Sequence, residues 1–234
     1  MSAMEKLAKV YDVEKVLNVA SYAHMYVFEF DGKIIGKDFT FPPSIGILIE
    51  NPSFVQEYTG LKNLEMLACI KNKTGIEDIR HAMEQTGLDP DDKRTYRKYS
   101  LGMKQKLGIA AAYMENPDII ILDEATTMLS PNSRKSVLNT LNELHKKTDI
   151  TIIAITQYAQ ETVDCDRIVV MKNGEVLAQG SPEKIYSNSS LIERAEIGVP
   201  YCVKIYYDLK DNGIELSKCP LNNESLVELL CRLK

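Results

Sequence analysis

Two short runs of consecutive aliphatic residues constrain the fold of this chain more than any other feature. Residues 119–122 are Ile-Ile-Ile-Leu, and residues 150–155 are Ile-Thr-Ile-Ile-Ala-Ile. Such runs are typical of strands that are buried on both faces of a parallel sheet. A segment with helical apolar spacing separates them, and a strand–helix–strand unit of this kind favours a right-handed crossover. The sequence therefore predicts an α/β fold built around a parallel sheet.

Two helices flank the first aliphatic run. The helix before it is predicted to start after Ser100, a favourable N-cap residue, and to stop at residues 116–118, which are Asn-Pro-Asp. Its apolar stripe consists of Met103, Leu107, Ala110, Ala111 and Met114. The second helix begins at Pro131, and its stripe consists of Val137, Leu138, Leu141 and Leu144. The second helix thus forms the crossover between the two strands.

Turn and helix signals predict the elements outside this core. Asn173-Gly174 lies between two strand-like runs and predicts a β-hairpin. Residues 76–87 predict a helix that ends before a turn at residues 89–92, and its inward positions are Ile79, Ala82 and Met83. A last helix, capped by Asn223, carries Leu226, Leu229, Leu230 and Leu233 at helical spacing. Residues 1–27 show helical spacing without clear caps.

Composition argues against several classes of function. The chain has 33 acidic and 28 basic residues and a formal net charge of −5, which disfavours a nucleic-acid partner. Its apolar stretches are far shorter than the roughly 20 residues of a membrane-spanning helix, and its first residues lack the features of a secretory signal. We therefore expect a cytoplasmic protein. The five cysteines and three histidines are dispersed, so their spacing predicts reduced thiols and no metal cluster.

Two adjacent carboxylates follow the first aliphatic run. At the carboxyl end of a parallel strand, Asp123 can hold the water shell of a magnesium ion, and Glu124 can polarise a water molecule for attack on a terminal phosphate. Four aliphatic residues followed by two acids also arise by chance. A solvated strand end is therefore the plain alternative for this segment.

The start of the preceding helix supplies a second chemical feature. Residues 99–105, Tyr-Ser-Leu-Gly-Met-Lys-Gln, combine the Ser100 hydroxyl, the Gly102 backbone N–H and a helix N-terminus. Together these groups suit the outer phosphate of a nucleotide. A plain helix cap is the alternative for this segment taken alone. Because the helix leads directly into the strand that carries the two acids, we interpret both features as parts of one nucleotide site.

These segments resemble the ATPase subunits of ABC transporters, from about Phe28 to the end of the chain. Residues 99–105 are similar to the family's signature motif in the variant of bacitracin and lantibiotic exporters, and residues 120–124 to its Walker B strand. Residues 45–51 are similar to the Q-loop region of those exporters, with Glu50 in place of the frequent glutamine. Residues 123–129 and the tail beyond Ile197 are more similar to energy-coupling-factor vitamin importers.

The resemblance implies a P-loop NTPase-like parallel sheet with a helical subdomain, and ATP and Mg²⁺ as cofactors. It also implies roles for particular residues: catalysis for Glu124 and Gln157, metal binding for Asp123, and nucleotide binding for Ser100, Leu101, Gly102 and Glu50. The implied partners are a second ABC ATPase subunit, in a homo- or heterodimer, and the membrane subunits of a transporter. Those membrane subunits would hold the chain at the inner face of the cell membrane.

Three departures from the family pattern predict weak or absent autonomous hydrolysis. The family's phosphate loop, Gly-x-x-x-x-Gly-Lys, does not occur in the sequence. The nearest string, residues 32–38, is one residue short and places Asp38 where a magnesium-binding hydroxyl belongs, so a turn between two strands is the better interpretation. Ser130 stands at the position of the D-loop aspartate. Gln157 stands at that of the switch histidine, where an amide cannot carry the charge of an imidazolium.

The N-terminal part of the ATPase core is accordingly predicted to be incomplete. We divide the chain into an atypical segment (1–30), an ATPase core (31–180) with a helical subdomain at about 52–98, and a C-terminal helical extension (181–234). A strand near Ile119 or Ile153 would then gain an unpaired edge. An unpaired edge predicts a chain that is marginally stable or depends on a partner.

Three functional hypotheses remain open from the sequence. The chain is an ATP-binding subunit that couples ATP binding or hydrolysis to transport in a composite dimer with a competent partner. Alternatively, it is a non-catalytic docking subunit whose helical middle segment contacts transporter membrane helices. In the third hypothesis it is a truncated or recombined remnant of an ATPase.

Overall fold

Two compact units make up the chain in the computed structural model. Pro43–Thr156 form one unit, and Met1–Pro42 together with Gln157–Lys234 form the other. The structure describes the residues 18–22, 25–30, 33–35, 45–50, 52–71 and 73–233. The domain boundaries expected from the sequence stay predictions.

The strands and helices alternate in the middle of the chain, whereas the last part is mostly helical. The strands are β1 (Asn18–Tyr22), β2 (Met25–Phe30), β3 (Lys33–Ile35), β4 (Ile45–Ile49), β5 (Ile119–Asp123), β6 (Thr151–Ile155), β7 (Ile168–Lys172) and β8 (Glu175–Gly180). The helices are α1 (Gly60–Lys71), α2 (Ile76–Gln85), α3 (Leu101–Tyr113), α4 (Pro131–Lys147), α5 (Pro182–Tyr186), α6 (Ser189–Ala195), α7 (Tyr201–Asp211) and α8 (Asn223–Cys231).

The Pro43–Thr156 unit is built on a parallel sheet in the order β4–β5–β6, which confirms the predicted α/β fold. The register aligns Ile49 with Asp123 and Asp123 with Ile155, so the three strands end at one edge. In the central strand β5, Ile120 and Leu122 are buried while the alternate isoleucines are half-buried. Burial on both faces was therefore predicted correctly for the face of Ile120 and Leu122, whereas the face of Ile119 and Ile121 is less covered than predicted.

Strand β6 differs from the expectation of a fully buried strand. Its first three residues are half-buried, and Ala154 and Ile155 are exposed. The physical reason is its position, because β6 pairs with β5 and with no other strand that the structure describes. An aliphatic run predicts a strand, but it does not distinguish a central strand from an outer one.

Helix α3 confirms the predicted helix and corrects its apolar stripe. Ser100 is the N-cap, and its side-chain oxygen accepts a hydrogen bond from the Met103 N–H at 3.2 Å. Buried residues occur on all sides of the helix rather than along one stripe, and Met103 and Ala111 are only half-buried. The buried residues are Gly102, Gln105, Leu107, Gly108, Ile109, Ala110, Ala112 and Tyr113. Helix α3 is thus the central helix of its unit.

Close backbone contact between α3 and β4 depends on a glycine. A Cβ atom added to Gly46 would lie 2.0 Å from the carbonyl oxygen of Ala112. Helices α2 and α4 pack around α3, and Ile79, Ala82 and Met83 of α2 are buried as predicted. In α4 the buried apolar residues are Val137, Leu141 and Leu144, whereas Leu138 is half-buried.

The loop between β4 and α1 is fixed by a buried amide and a buried phenol. The Asn63 side chain accepts a hydrogen bond from the Val55 N–H at 2.8 Å and donates to the Val55 and Thr59 carbonyls. The Tyr96 hydroxyl donates to the Pro52 carbonyl at 2.6 Å. These bonds satisfy backbone groups of an irregular segment that directly follows a sheet strand.

The unit that contains Gln157–Lys234 holds two antiparallel sheets and four short helices within its described residues. The predicted hairpin is confirmed, because β7 pairs with β8 and both Asn173 and Gly174 have positive φ angles of 52° and 74°. The β2–β3 pairing places Phe30 opposite Lys33, so residues 33–35 of the string 32–38, which was expected to form a turn, belong to a strand. The last helix is capped by Asn222, so the prediction of Asn223 as its cap was wrong by one position. The helical spacing of residues 1–27 was misleading at its end, where β1 and the start of β2 pair as antiparallel strands, and residues 1–17 lie outside the described residues.

Candidate functional site

The carboxyl ends of β4, β5 and β6 are held together by hydrogen bonds that extend the sheet by one residue. The Glu50 N–H donates to the Asp123 carbonyl at 2.9 Å, and the Glu124 N–H donates to the Ile155 carbonyl at 3.0 Å. The carboxyl edge of a parallel sheet is the usual place for ligands in open α/β folds. Glu50, Asp123 and Glu124 therefore lie along one candidate edge.

The backbone turns sharply at two of these residues. Glu50 and Glu124 both have a φ angle of 47°, in the left-handed region that non-glycine residues seldom adopt. Such a conformation costs about 1–3 kcal/mol and persists only where neighbouring contacts hold it. Here the two N–H bonds to the adjacent strands provide those contacts. Strain of this kind concentrates at functional sites, so it strengthens the assignment of this edge.

The Glu124 side chain is oriented by the segment that follows it. The Thr127 hydroxyl donates to Glu124 Oε2 at 3.2 Å, and the Thr127 N–H donates to the Glu124 carbonyl at 3.1 Å. A further turn bond joins the Leu129 N–H to the Thr126 carbonyl at 3.0 Å. The 124–129 segment thus forms a compact turn that fixes one carboxylate beside the end of β5.

A second feature lies where the N-termini of α3 and α4 meet. Ser130 caps α4 through the Ser133 N–H, just as Ser100 caps α3. A Cβ atom added to Gly102 would lie 3.2 Å from Ser133 Cβ, so the start of α3 packs against the first turn of α4. Each helix start carries N–H groups without a helical partner and a partial positive charge.

A cavity of about 340 Å³ opens beside these helix starts. Its wall includes Ser100, Gly102 and Ser133 together with the basic side chains of Arg94 and Lys106. Arg94 is paired with Asp92 at 2.7 Å, and this hydrogen-bonded guanidinium lowers the pKa of the Asp92 carboxyl. Burial lowers the pKa of the Lys106 ammonium. The cavity therefore combines helix N-termini, hydroxyls and a partly desolvated lysine with the carboxylates of Asp89 and of the paired Asp92.

Helix α3 joins these two features through one buried side chain. Gln105 lies one turn beyond the start of α3, is 2% exposed, and donates a hydrogen bond from Nε2 to the Glu50 carbonyl at 3.0 Å. Gln105 is the last residue of the motif at residues 99–105, and its pattern predicted no separate role for it. A polar residue inside an otherwise apolar helix was the available signal, because such a residue needs a hydrogen-bond partner when it is buried.

The carboxylates at the strand ends fit a metal ion only if water and substrate phosphates supply its other ligands. No group of three or more His, Cys, Asp or Glu residues suited to a metal occurs in the described part of the chain. Mg²⁺ is usually bound through one or two carboxylates, with water and substrate phosphates as its other ligands. The half-buried Asp123 at the end of β5 fits such a shared site, and a site formed by protein ligands alone does not fit.

The structure brings most of the predicted site residues into two groups. Glu50, Asp123 and Glu124 share the strand edge, while Ser100 and Leu101 are exposed and Gly102 is buried at the start of α3. Gln157 directly follows the unit that holds both groups and belongs to the other unit, so its catalytic role stays a prediction. Sequence reasoning missed Thr127 and Ser133, because their roles depend on which helix starts and turns meet.

Comparison with known proteins assigns the family. The ABC transporter family model matches residues 30–127. The energy-coupling factor transporter ATP-binding proteins EcfA1 of Clostridium novyi and Geobacillus kaustophilus are both 37% identical to this chain, over 68% and 81% of it. EcfA1 of Listeria monocytogenes serotype 4b is 30% identical, over 81% of this chain and 69% of that protein. The chain belongs to the ABC transporter ATP-binding family.

Solved structures agree with this assignment. The chain is similar to cbiO1 of Clostridium perfringens, described as part of the ABC transporter complex cbiONQ, with a TM-score of 0.62 and 26% identity over 78% of this chain and 76% of that one. It shares its fold, with a TM-score of 0.55 and 18% identity over 69% of this chain and 75% of that one, with a dimeric ATP-binding cassette bound to ADP and Pi. The aligned part of this chain spans 63% and 65% of the Clostridium novyi and Geobacillus relatives. Among the described helices, none has the length and apolarity to cross a bilayer.

Proposed function

We propose that this chain is an ATP-binding subunit of a transporter and acts in a composite dimer with a second, competent ABC ATPase. In this dimer the partner holds the ATP phosphates, and this chain closes over them with Ser100, Leu101 and Gly102. The observation that carries the proposal is the meeting of two helix N-termini at Ser100, Gly102 and Ser133.

Electrostatics favour an anion at this surface. The unpaired N–H groups and the partial positive charge at a helix start stabilise a phosphate, and here two helix starts lie side by side. Ser100 and Leu101 are exposed, so a ligand held by another subunit can approach them. Binding of a nucleotide between two subunits makes the association dependent on ATP, because ATP stabilises only the associated state.

The strand edge of this chain supports a weaker role in nucleotide chemistry. Asp123 would hold Mg²⁺ through its water shell, and Glu124 would orient a water molecule, with Gln157 and Glu50 as further polar contacts. The sequence contains no Gly-x-x-x-x-Gly-Lys string to bind the phosphates. Loss of such a loop removes a backbone anion site and its lysine together, so we propose that this chain does not hydrolyse ATP by itself.

The family assignment supports a transporter context. Energy-coupling factor ATP-binding proteins are the relatives of this chain, and cbiO1 is described as part of a complex with further components. We therefore propose that this chain associates at the inner face of the cell membrane with the membrane subunits of such a transporter.

A docking role without catalysis is the second candidate, and the surface of α1 favours it. Met66, Leu67 and Ile70 of α1 are between 37% and 78% exposed, and Val55 and Tyr58 in the preceding loop are also exposed. A contiguous apolar surface of this kind marks an interaction site. In this alternative the chain binds transporter membrane subunits through α1, with or without nucleotide.

A pull-down with ATP and Mg²⁺ separates the two candidates. The tagged chain is incubated with the EcfA1 protein of Geobacillus kaustophilus, and retention is measured with ATP, with ADP and without nucleotide. The composite dimer predicts retention that ATP increases at least tenfold and that Ser100→Arg abolishes by filling the phosphate position. In a parallel pull-down with transporter membrane subunits, retention that is equal in all three conditions supports docking instead.

A hydrolysis assay tests the catalytic part of the proposal. The purified chain alone should show no Mg²⁺-dependent ATPase activity above buffer, and Glu124→Gln should leave that result unchanged. Activity that Glu124→Gln abolishes would show that the chain is a competent ATPase. Absence of both ATP-dependent association and membrane-subunit binding would favour a remnant without function.

A further inference from the structure

A partly buried chain of hydroxyl groups joins the C-terminal helices to the turn that follows Gln157. The Tyr186 hydroxyl lies 2.7 Å from Thr162 Oγ1, and Thr162 Oγ1 donates to the Ala159 carbonyl at 2.9 Å. The Tyr186 hydroxyl also lies 3.5 Å from the Ala159 carbonyl, so with Thr162 bonded to Ala159 the phenol donates to Thr162 Oγ1 or to that carbonyl, and both acceptors belong to the turn. The short 3₁₀ turn Ala159–Thr162 therefore depends on a side chain from α5.

The backbone of Tyr186 is held in turn by helix α7. Tyr186 is the last residue of α5, where a helix carbonyl lacks a partner within its own helix. The Tyr207 hydroxyl donates to this carbonyl at 2.8 Å, and the Cys219 thiol lies 3.6 Å from the same oxygen. One residue thus receives a bond from α7 on its main chain and gives a bond to the turn from its side chain.

Apolar packing encloses this chain of bonds. Tyr186, Val203 and Cys219 form a buried cluster against which Ala159 and Tyr207 pack. Burial raises the pKa of Tyr207 to about 12 and also raises the pKa of Tyr186, so both phenols keep their protons at neutral pH. Hydrogen bonds inside a desolvated cluster are stronger than bonds that compete with water.

We infer that Tyr186 is a positioning residue that couples the C-terminal helical extension to the segment from Gln157 to Thr162. Gln157 is two residues before Ala159, so the geometry of the turn fixes the direction in which the chain leaves Gln157. The inference rests on the proposed function only where it assigns Gln157 a contact with nucleotide. The C-terminal extension then affects ATP-dependent association through the turn, without itself contacting the nucleotide.

Hydrogen exchange on the isolated chain tests the coupling without nucleotide or partner. The reporter is the Glu161 amide, which donates to the Tyr158 carbonyl at 2.9 Å. Tyr186→Phe and Tyr207→Phe should each speed its exchange roughly fivefold, as expected for the loss of one net hydrogen bond. Amides of the β7–β8 hairpin should be unchanged. Tyr206→Phe is the matched control, since this tyrosine packs in the same cluster and no bond from its hydroxyl is seen among the described residues.

A second variant keeps the test decisive if Tyr186→Phe does not fold. Thr162→Val preserves the shape of the side chain and removes the hydroxyl from the opposite end of the same bond, so it should also speed exchange at Glu161. Unchanged exchange in a folded Tyr186→Phe or Thr162→Val chain overturns the coupling, as does an equal increase across the whole unit.

The link to nucleotide is tested by a double-mutant cycle in the ATP-dependent pull-down with EcfA1 of Geobacillus kaustophilus. Tyr186→Phe and Gln157→Ala should each weaken ATP-dependent retention, and the double variant should be no weaker than Gln157→Ala alone. If the double variant weakens retention by the product of the two single effects, the positioning role at Gln157 is overturned. If the unmodified chain shows no ATP-dependent retention, the proposed function and the nucleotide role of Gln157 fail together, while the exchange result still decides the coupling.

Discussion

The side-chain amide of Gln105 donates a hydrogen bond to the backbone carbonyl of Glu50 across 3.0 Å. The Glu50 N–H donates in turn to the carbonyl of Asp123 at 2.9 Å. Glu50 therefore connects helix α3, which begins at the exposed Ser100 cap, to the end of the strand that carries the acids. The two bonds thus form a continuous connection from the start of α3 to the strand edge.

Removing the Gln105 donor should weaken the fold measurably. Gln105→Met keeps the volume but leaves the Glu50 carbonyl without this donor, so we expect a loss of about 1–3 kcal/mol in the free energy of unfolding. Urea denaturation followed by circular dichroism measures the loss. Gln85→Met is the control, because Gln85 is a half-buried glutamine on α2 with no side-chain hydrogen bond among the described residues. Equal losses in the two variants would contradict the role given to Gln105.

Ser100 is expected to have two separable effects. Ser100→Ala removes the N-cap bond to the Met103 N–H and should cost about 1 kcal/mol of stability. Ser181→Ala removes the equivalent cap of α5, where the serine side chain accepts from the Lys184 N–H at 3.3 Å, and it should cost a similar amount. Only Ser100→Ala should also weaken ATP-dependent association. If both variants associate as the unmodified chain does, Ser100 is a helix cap and nothing more.

Gly46 should tolerate no side chain. A Cβ atom at this position would overlap the Ala112 carbonyl oxygen at 2.0 Å, and neither backbone can move without separating β4 from α3. We expect Gly46→Ala to cost about 3 kcal/mol or more, at the upper end for overpacked cores. Gly198→Ala is the control, since nothing lies within 4 Å of its added Cβ atom. Thermal denaturation of both variants decides the point, and a stable Gly46→Ala chain would refute the predicted overlap.

Local sequence signals were enough to predict several elements in each of the two units. The aliphatic runs gave β5 and β6, Ser100 gave the start of α3, and Asn173-Gly174 gave the β7–β8 turn. Each of these signals acts within a few residues, through backbone preference or a cap. The parallel pairing of β5 with β6 then followed from the crossover rule, whereas the register that aligns Asp123 with Ile155 was not predicted.

Features that depend on distant contacts could not be predicted in the same way. The bond from Gln105 to Glu50 joins residues 55 positions apart, and the packing of Gly102 on Ser133 joins two helices. Exposure of Ile155 also depends on how many strands flank β6, which no local pattern encodes. Sequence periodicity reports which face of an element is apolar, whereas tertiary packing decides what covers it.

Alkaline pH should destabilise the unit that contains Tyr207. Burial raises the pKa of this phenol from 10.0 to about 12, so the folded state binds its proton more tightly than the unfolded state. The contribution is complete below pH 10 and is lost as the pH rises towards 12. Burial likewise raises the pKa of Cys219 from 9.0 to about 11, which begins the loss at lower pH.

The Tyr207→Phe variant tests this pH dependence. Its free energy of unfolding should fall less steeply between pH 10 and 12 than that of the unmodified chain, because one titrating group has been removed. Denaturant titrations at several pH values give the two slopes. Tyr201→Phe, which alters a 74% exposed tyrosine at the start of the same helix, serves as the control. Identical slopes for the Tyr207→Phe and unmodified chains would rule out a contribution from this phenol.

The outer strand β6 should make the isolated chain prone to association. Ile155 at its end is 52% exposed, and β6 pairs only with β5 among the strands that the structure describes. Unpaired strand edges with apolar side chains promote edge-to-edge pairing between molecules, and a lysine at such an edge opposes it. We therefore expect Ile155→Lys to reduce light scattering on heating at equal protein concentration, while changing the free energy of unfolding by no more than about 0.5 kcal/mol.

Ile205→Lys alters an isoleucine of similar exposure on α7 and should leave the scattering unchanged. Equal reductions in scattering for the two variants would trace the effect to net charge rather than to the strand edge. A sharp, cooperative and concentration-independent melt of the unmodified chain at high temperature would show that β6 needs no partner strand.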